Sequence, residues 1–447
     1  MTASPRPARI IPLRPVATTY GTTPRTAPDP AAAASGSAND PQCAVPPTPP
    51  PLSLYVHYPW CVRKCPYCDF NSHEHRTMVE VATDSESTTA LETRYVDALI
   101  TDIESALPDV WGRRVHSVFI GGGTPSLMSA TAVDRLLTAV RTLLPLDPLA
   151  EITLEANPGT VESGRFRDYR AAGVNRLSIG VQSFDDRQLR RIGRIHGGDE
   201  ARRAIDIALE HFERVNVDLM YALPEQRLEQ ALADLDTAIA AGVHHVSAYH
   251  LTLEPNTPFF HTPPPLPDPD HAADMQDAIE ARLADAGFEH YETSAFARPG
   301  QQSRHNLNYW QFGDYLGIGA GAHGKLSRHD GIVREMRHKH PNRYLEGASR
   351  REFVQERKTV ARADLPFEFM MNVLRLTGGV PLALFHARTG LTVDHLAAAL
   401  REARDKRLIV IETDGSPGGD AVRPTELGRR FLNDLLALFL PTDSSPG

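Results

Sequence analysis

Apolar and polar positions alternate in a repeating order from residue 53 to about residue 290. Short apolar runs suited to strands fall at 54–58, 115–120, 151–156, 176–181, 215–221 and 245–253. Between and after them lie stretches with helical spacing of apolar residues, at 91–107, 130–144, 161–172, 200–212, 228–241 and 271–286. Six strand-then-helix units in a row predict an α/β fold, with a parallel sheet and its helices packed outside. Right-handed crossovers then allow either a doubly wound sheet or a barrel, and periodicity does not choose between them. No sequence repeat accompanies the alternation.

The flanking regions read differently. Residues 1–50 are rich in Pro, Ala, Thr and Ser and lack the apolar content for a core, which predicts a disordered tail or a stiff polyproline lead-in. The polar stretch 74–90 reads as a surface loop. Residues 291–348 mix short strand-like runs with glycine and aromatics and extend the core at 51–290. From 349 to 447 the pattern is helical, then a short apolar run at 408–412, a Gly-rich turn at 415–419, another run at 421–423 and a last helix near 426–438. This order predicts a smaller domain of winged-helix type.

Composition narrows the function. The net charge is −9 with no large basic block, which argues against nucleic acid as a partner. Asp394, Glu402, Asp405, Glu412 and Asp414 interrupt any basic face on the winged-helix region. No run approaches the ~18 apolar residues of a membrane span. Arg6, Arg9 and Arg14 are not followed by the apolar segment of a secretory signal. A reducing cytoplasm is the expected compartment.

The chemistry concentrates in cysteine. Three of the four cysteines, Cys61, Cys65 and Cys68, form a C-x3-C-x2-C stretch after the first strand; Cys43 lies apart in the Pro-rich tail. Pro59 and Pro66 disfavour helix at Tyr58 and Cys65 and keep the stretch an open loop. Thiolates in such a loop suit an iron–sulfur cluster. Three cysteines on a four-iron cubane leave one iron free for another ligand. The alternative is a zinc site completed by His57 or His73, although zinc ribbons show paired C-x2-C knuckles and no second pair exists here.

Unusual polar residues fall where strands give way to loops, the place where parallel β/α folds collect chemistry. Gly121, Gly122 and Gly123 precede Thr124, either as a tight turn or to let backbone approach a ligand. Glu155 closes the third run and would need an ammonium or hydroxyl partner. Gln182 ends the fourth run, Arg194 follows in the next stretch, and Asp218 sits between apolar neighbours in the fifth. Each alone can equally be structural. Farther on, His305 and Asn306 precede Tyr309 and Trp310, followed by a glycine-rich run to His323. An imidazole can ligate haem iron and the two aromatics offer flat walls, whereas a hydrogen-bonded loop histidine is the plainer alternative.

These motifs resemble a known family. C-x3-C-x2-C with Tyr67 before its last cysteine resembles the radical S-adenosylmethionine superfamily. Together with G-G-G-T-P-S, E-A-N-P-G, S-I-G-V-Q-S-F and V-D-L-M-Y, it is similar to the group that contains oxygen-independent coproporphyrinogen III oxidase and related haem chaperones, over about residues 53–440. The resemblance implies an open (β/α)6 partial barrel, with Cys61, Cys65 and Cys68 holding a 4Fe-4S cluster whose free iron chelates S-adenosyl-L-methionine. It places Tyr55, Tyr67, Gly122, Gly123, Thr124, Glu155, Gln182, Arg194 and Asp218 at cofactor-binding positions. The oxidase carries a fourth cysteine two places after the third, where this chain has Phe70; the chaperones carry H-N-x-x-Y-W, present here from His305 to Trp310. The chaperone side therefore implies haem held at His305, Tyr309 and Trp310 and delivered to haem-accepting membrane proteins. Peripheral membrane association and a homodimer are further expectations of it. The oxidase side implies radical oxidative decarboxylation of coproporphyrinogen III.

Overall fold

A computed structural model of the chain describes residues 44–74, 88–160, 163–413 and 419–441. The expected tail up to residue 43 with Cys43, most of the polar loop (75–87) and most of the glycine turn (414–418) lie outside the described residues.

The six expected units are present. Strands β1 (Leu52–Tyr58), β2 (Val115–Gly122), β3 (Leu146–Ala156), β4 (Arg176–Gln182), β5 (Val215–Tyr221) and β6 (His245–His250) are each followed by a helix. The helices are α1 (Thr88–Val110), α2 (Ala130–Leu143), α3 (Ser163–Ala172), α4 (Gly198–His211), α5 (Leu228–Ala240) and α6 (Pro269–Asp285). Neighbouring strands pair in parallel and in strict sequence order from β1 to β6. A doubly wound sheet would reverse its order at a switch point. This one does not, and so curves as a barrel.

The barrel stays open because other strands occupy its two edges. On the β6 side lie β7 (Glu289–Glu292) and β8 (Ala295–Ala297), with β8 antiparallel to β6. On the β1 side β9 (Asp314–Ile318) pairs in parallel, then β10 (His323–Arg328), β11 (Gly331–Arg337) and β12 (Val354–Thr359) follow antiparallel. The extension thus continues in the large sheet past residue 348. Between β8 and β9 runs the helix α7 (Arg304–Trp310), and α8 (Pro341–Ala348) follows β11.

Alternation along the strands divides the two faces of the sheet. Leu54, Val56, Val118, Ile120, Ile152, Leu154, Leu177, Ile179 and Val217 are buried in one core with Leu99, Ile103, Val133, Leu136 and Ile205 of the helices. The intervening residues, among them Thr153, Glu155, Ser178, Asp218, His245 and Ser247, line the barrel interior instead. Burying a Leu- or Ile-sized side chain is worth about 1.5–3 kcal/mol, so the outward face drives the assembly.

The C-terminal part has its own core, built from Phe369, Met370, Phe385, Leu396, Leu400, Ile409, Val422 and Leu435. It joins α9 (Leu365–Val373), α10 (Ala383–Thr389) and α11 (Ala397–Asp405) to a three-stranded sheet of β13 (Val380–Pro381), β14 (Ile409–Glu412) and β15 (Ala421–Pro424). Two short helices (Glu426–Arg430, Leu432–Ala437) close it. Helices with a strand hairpin between them match the expected winged-helix pattern.

One buried polar cluster fixes the edge of the barrel beside the cysteine loop. Arg337 Nε donates to Asp102 Oδ1 at 3.0 Å, Tyr344 OH donates to Oδ2 at 2.9 Å, and the Gly319 amide donates to the same oxygen at 3.3 Å. Gly319 has φ +99°, and a Cβ there would stand 2.3 Å from the His57 carbonyl oxygen. The cluster therefore presses the end of β9 onto β1. Replacing Arg337 by Leu leaves Asp102 buried without its counter-charge, which costs roughly 3–5 kcal/mol. Urea unfolding is expected to show that loss; a change below about 1 kcal/mol would contradict the assigned role.

Candidate functional site

The cysteine loop is pinned at both ends. Trp60 is fully buried against Tyr58 and Tyr95. The His73 amide donates to the Pro59 carbonyl at 2.7 Å, and Trp60 and Cys61 pair with His73 and Glu74. Asn71 Nδ2 reaches the Ala320 carbonyl at 3.0 Å. Cys61, Cys65 and Cys68 are thereby held as free, partly buried thiols. Burial pushes the Cys61 and Cys68 thiols up from their ordinary value. Arg194 Nη1 lies 3.7 Å from Cys65 Sγ, Nη2 donates to the Gly180 carbonyl at 2.6 Å, and its buried Nε has no partner. Among the described residues no three His, Cys, Asp or Glu side chains are arranged to hold a single metal ion. Three free thiols on one loop, with an under-satisfied cation beside them, suit a larger thiolate-bound centre and an anionic ligand.

All three cysteines open onto one cavity of about 470 Å³ within the barrel. Tyr67, Gly122, Gly123, Thr124, Glu155, Gln182, Arg194 and Asp218 line it, as do His305 and Tyr309. Tyr55 and Trp310 do not. Tyr55 OH bonds His57 Nδ1 at 2.8 Å, and its ring lies 5.8 Å from that of Phe119. Trp310 faces the other way: its ring lies 4.3 Å from the Arg375 guanidinium, and it packs against the C-terminal core.

The glycines answer to packing. Gly122 has φ +116°, and a Cβ would meet the His57 ring at 2.7 Å; at Gly123 it would meet the Trp60 carbonyl at 2.5 Å. Only glycine lets β2 run this close to the cysteine loop. Gln182 holds φ 69° at the end of β4, where the pairing with β5 shifts register between Gly180 and Gln182. Such left-handed non-glycine residues persist where the surroundings over-determine them, often at functional sites.

Two carboxyls share the middle of the cavity wall. Burial and the neighbouring Asp218 push Glu155 up to about 8, against the pull of the Gly122 amide, which donates to Glu155 Oε2 at 3.0 Å. Asp218 is also raised by burial, although Asn216 Nδ2 and Ser178 Oγ donate to it at 2.8 and 3.1 Å. Glu155 therefore holds its proton at neutral pH, and an incoming cation beside it would favour the carboxylate and the loss of that proton.

The floor is closed by α7. Glu151 accepts from Arg214 Nη1 at 3.0 Å and from the Arg304 amide at 2.8 Å, and lies 3.5 Å from Arg176. Burial opposes its ionisation, but His305, Arg176 and the Arg304 amide outweigh this and hold it at about 2. His305 stacks on Phe119 at 4.1 Å, with Nδ1 2.9 Å from Ser303 Oγ and 3.6 Å from Glu151. Its pKa is lowered by burial, so the ring is neutral. Glu151, Arg176, Asn216 and His245 were not singled out from sequence. Their signal is a polar residue at an inward position of an otherwise apolar strand.

Comparison with known proteins places this architecture. The radical SAM superfamily pattern matches residues 55–238, and the HemN C-terminal domain pattern matches residues 360–431. The heme chaperone HemW of Escherichia coli (strain K12) is 48% identical over 396 residues, covering 88% of this chain and 98% of that protein. The chain belongs to the HemW family of the radical SAM superfamily. A HemW of Mycobacterium tuberculosis (strain ATCC 25618 / H37Rv) is 36% identical over 85% of this chain and 95% of its own length. The solved coproporphyrinogen III oxidase (HemN) of Escherichia coli has a TM-score of 0.71 at 23% identity, covering 88% and 90% of the two chains, a likeness of fold. Both patterns fall on compact parts of this HemW-family chain: the first on the barrel units that carry the cysteines, the second on the C-terminal core. Among its described residues no helix is long and apolar enough to cross a membrane.

Glu155 gives the cavity a pH signature. Its folded value of about 8 exceeds its ordinary 4.5, so its contribution to stability is full below the ordinary value and falls as pH rises toward about 8. Glu155→Gln removes that penalty. In the cofactor-free protein the variant's Tm is expected to gain on the parent's between pH 5 and 8, read by scanning calorimetry; a constant Tm difference would contradict the raised value.

Proposed function

We propose that this chain is a haem chaperone: it carries a 4Fe-4S cluster with S-adenosyl-L-methionine, holds haem, and passes haem to a membrane haem protein. The observation that carries the reading is that the cluster-type cysteines and the H-N-x-x-Y-W histidine open onto one cavity. Heme chaperone HemW is also the name of relatives matching most of the chain.

Each residue has a part. Cys61, Cys65 and Cys68 supply the cluster thiolates. When bound, the cluster supplies an open iron site for the methionine end of the cofactor. Arg194, charged and with Nε unpaired, faces the cofactor's carboxylate. Glu155 meets its ammonium or ribose hydroxyls, and Gln182 and Asp218 continue that polar wall, beside Gly122, Gly123 and Thr124. Tyr67 anchors the loop by packing against Phe259 and its apolar neighbours.

His305 is the haem ligand. Ser303 and Glu151 lie toward Nδ1, while Nε2 has only a long 3.4 Å approach to the Ser303 hydroxyl. A ring nitrogen fixed in this way orients the other for iron. Tyr309, one helical turn on, is a wall; Trp310 acts indirectly, anchoring α7 through Arg375. The competing reading, decarboxylation of coproporphyrinogen III, is disfavoured by Phe70 in place of the oxidase's fourth cysteine.

The test joins two assays on anaerobically reconstituted protein. Haem retention on gel filtration and the Soret band should be lost in His305→Ala, kept in His323→Ala, and only partly reduced in Trp310→Ala, which loosens α7 without removing a haem contact. Coproporphyrinogen III with S-adenosyl-L-methionine and reductant should give no protoporphyrinogen. Multiple turnovers would replace the chaperone reading by the oxidase; an unchanged His305→Ala spectrum would remove the assigned ligand.

A further inference from the structure

His305 is 7% exposed on the cavity floor, so iron bound there would lie inside the cavity and not on the outer surface that an acceptor meets first. A chaperone that releases its cargo to a partner needs a second, outer position for it. The outer side of the cysteine loop carries one histidine with a ring nitrogen left unused. His73 is half-buried near the Lys339 backbone carbonyl, and its Nε2 is buried with no hydrogen-bond partner. An imidazole nitrogen that no protein group uses is free to offer its lone pair to iron. The exposed His340 ring stands edge-on to His73 at 5.6 Å. His340 cannot take the same part while its Nδ1 accepts the Asn342 amide at 3.2 Å, because that places its own proton on Nε2.

The neighbourhood suits a porphyrin. Phe70 is 59% exposed and also lines the cavity, so its ring stands between the cavity mouth and the outer surface. Lys64 Nζ donates to the Phe70 carbonyl at 3.0 Å, so one cation is at hand for a propionate. Burial, His340 and Lys64 all lower the His73 pKa, which keeps the imidazole neutral.

We infer that His73, with Phe70 and Lys64, is an exit station for haem, taking its iron from His305 before an acceptor does. This rests on the haem-chaperone reading above. The step is a ligand exchange: the Fe–Nε2 bond to His305 breaks and one to His73 forms. Both imidazoles stay neutral, so no electron or proton is transferred. His73 Nε2 is buried in the resting protein, with the His340 ring edge-on to it at 5.6 Å, and on this account His340 swings aside for haem to bind.

The experiment loads the full-length reconstituted protein with haem, adds excess apomyoglobin, and follows the Soret shift by stopped flow. His73→Ala is expected to retain haem but slow transfer by roughly tenfold or more, since such differences reside mainly in release rates. His73→Met keeps an iron-ligating side chain and should recover most of the rate. His340→Asn keeps the helix cap, uncovers Nε2 and should speed transfer. Iron content and the cluster absorbance check that the loop is intact; if His73→Ala disturbs it, the Met and His340→Asn arms decide. Parent-like transfer in His73→Ala with an intact loop, or no rate change in His340→Asn, overturns the exit station while leaving haem binding at His305 in place. If His73→Ala abolishes haem binding and His305→Ala does not, His73 is the sole ligand and the two-station account is wrong. Parent protein that retains no haem defeats the chaperone reading itself.

Discussion

The fold depends on which way the parallel sheet turns its apolar face. Val, Leu and Ile of β1 to β5 point outward under the helices, so that the inward positions are free to be polar. Inward polar groups are tolerable only when they bond one another. Glu151 with Arg176 and Arg214, Asp218 with Asn216 and Ser178, and His245 Nε2 with Tyr291 OH at 2.8 Å meet that condition. The interior is therefore a cavity with hydrogen-bonded polar walls instead of a packed plug. Where the pairing is incomplete, at Glu155, Arg194 and the Thr153 hydroxyl, the cavity is ready for a ligand.

The same constraint explains the H-N-x-x-Y-W helix. A barrel with a polar interior needs a floor that satisfies those groups, and α7 supplies one by donating its first amide to Glu151. His305 and Tyr309 are four residues apart and share the cavity face, as helical spacing requires. Trp310 is the next residue, about 100° around the helix, and so points to Arg375 and the C-terminal core. One short helix thus joins the cavity floor to the second domain.

Much of this was legible in the sequence. The β/α alternation gave all six units, and Cys61, Cys65, Cys68, Gly122, Glu155, Gln182 and Asp218 do gather at one cavity. Barrel or doubly wound order was not legible, because periodicity reports burial within a strand and is silent on its neighbours. The floor was missed because Glu151 and Arg304 are 153 residues apart and meet only through sheet order. The divergence of Tyr309 and Trp310 was available from helical geometry, once the stretch was read as a helix rather than a loop.

Every role assigned to the cavity follows from a cysteine loop that presents a cluster with one open iron to it. The direct measurement is electron paramagnetic resonance of the anaerobically reconstituted, dithionite-reduced protein, with and without S-adenosyl-L-methionine, in the parent and in Cys61→Ala, Cys65→Ala and Cys68→Ala. The account predicts a 4Fe-4S signal that changes when the cofactor is added, and its loss in each cysteine variant. A purified protein that holds zinc and takes up no iron, or a cluster signal indifferent to the cofactor, would contradict it.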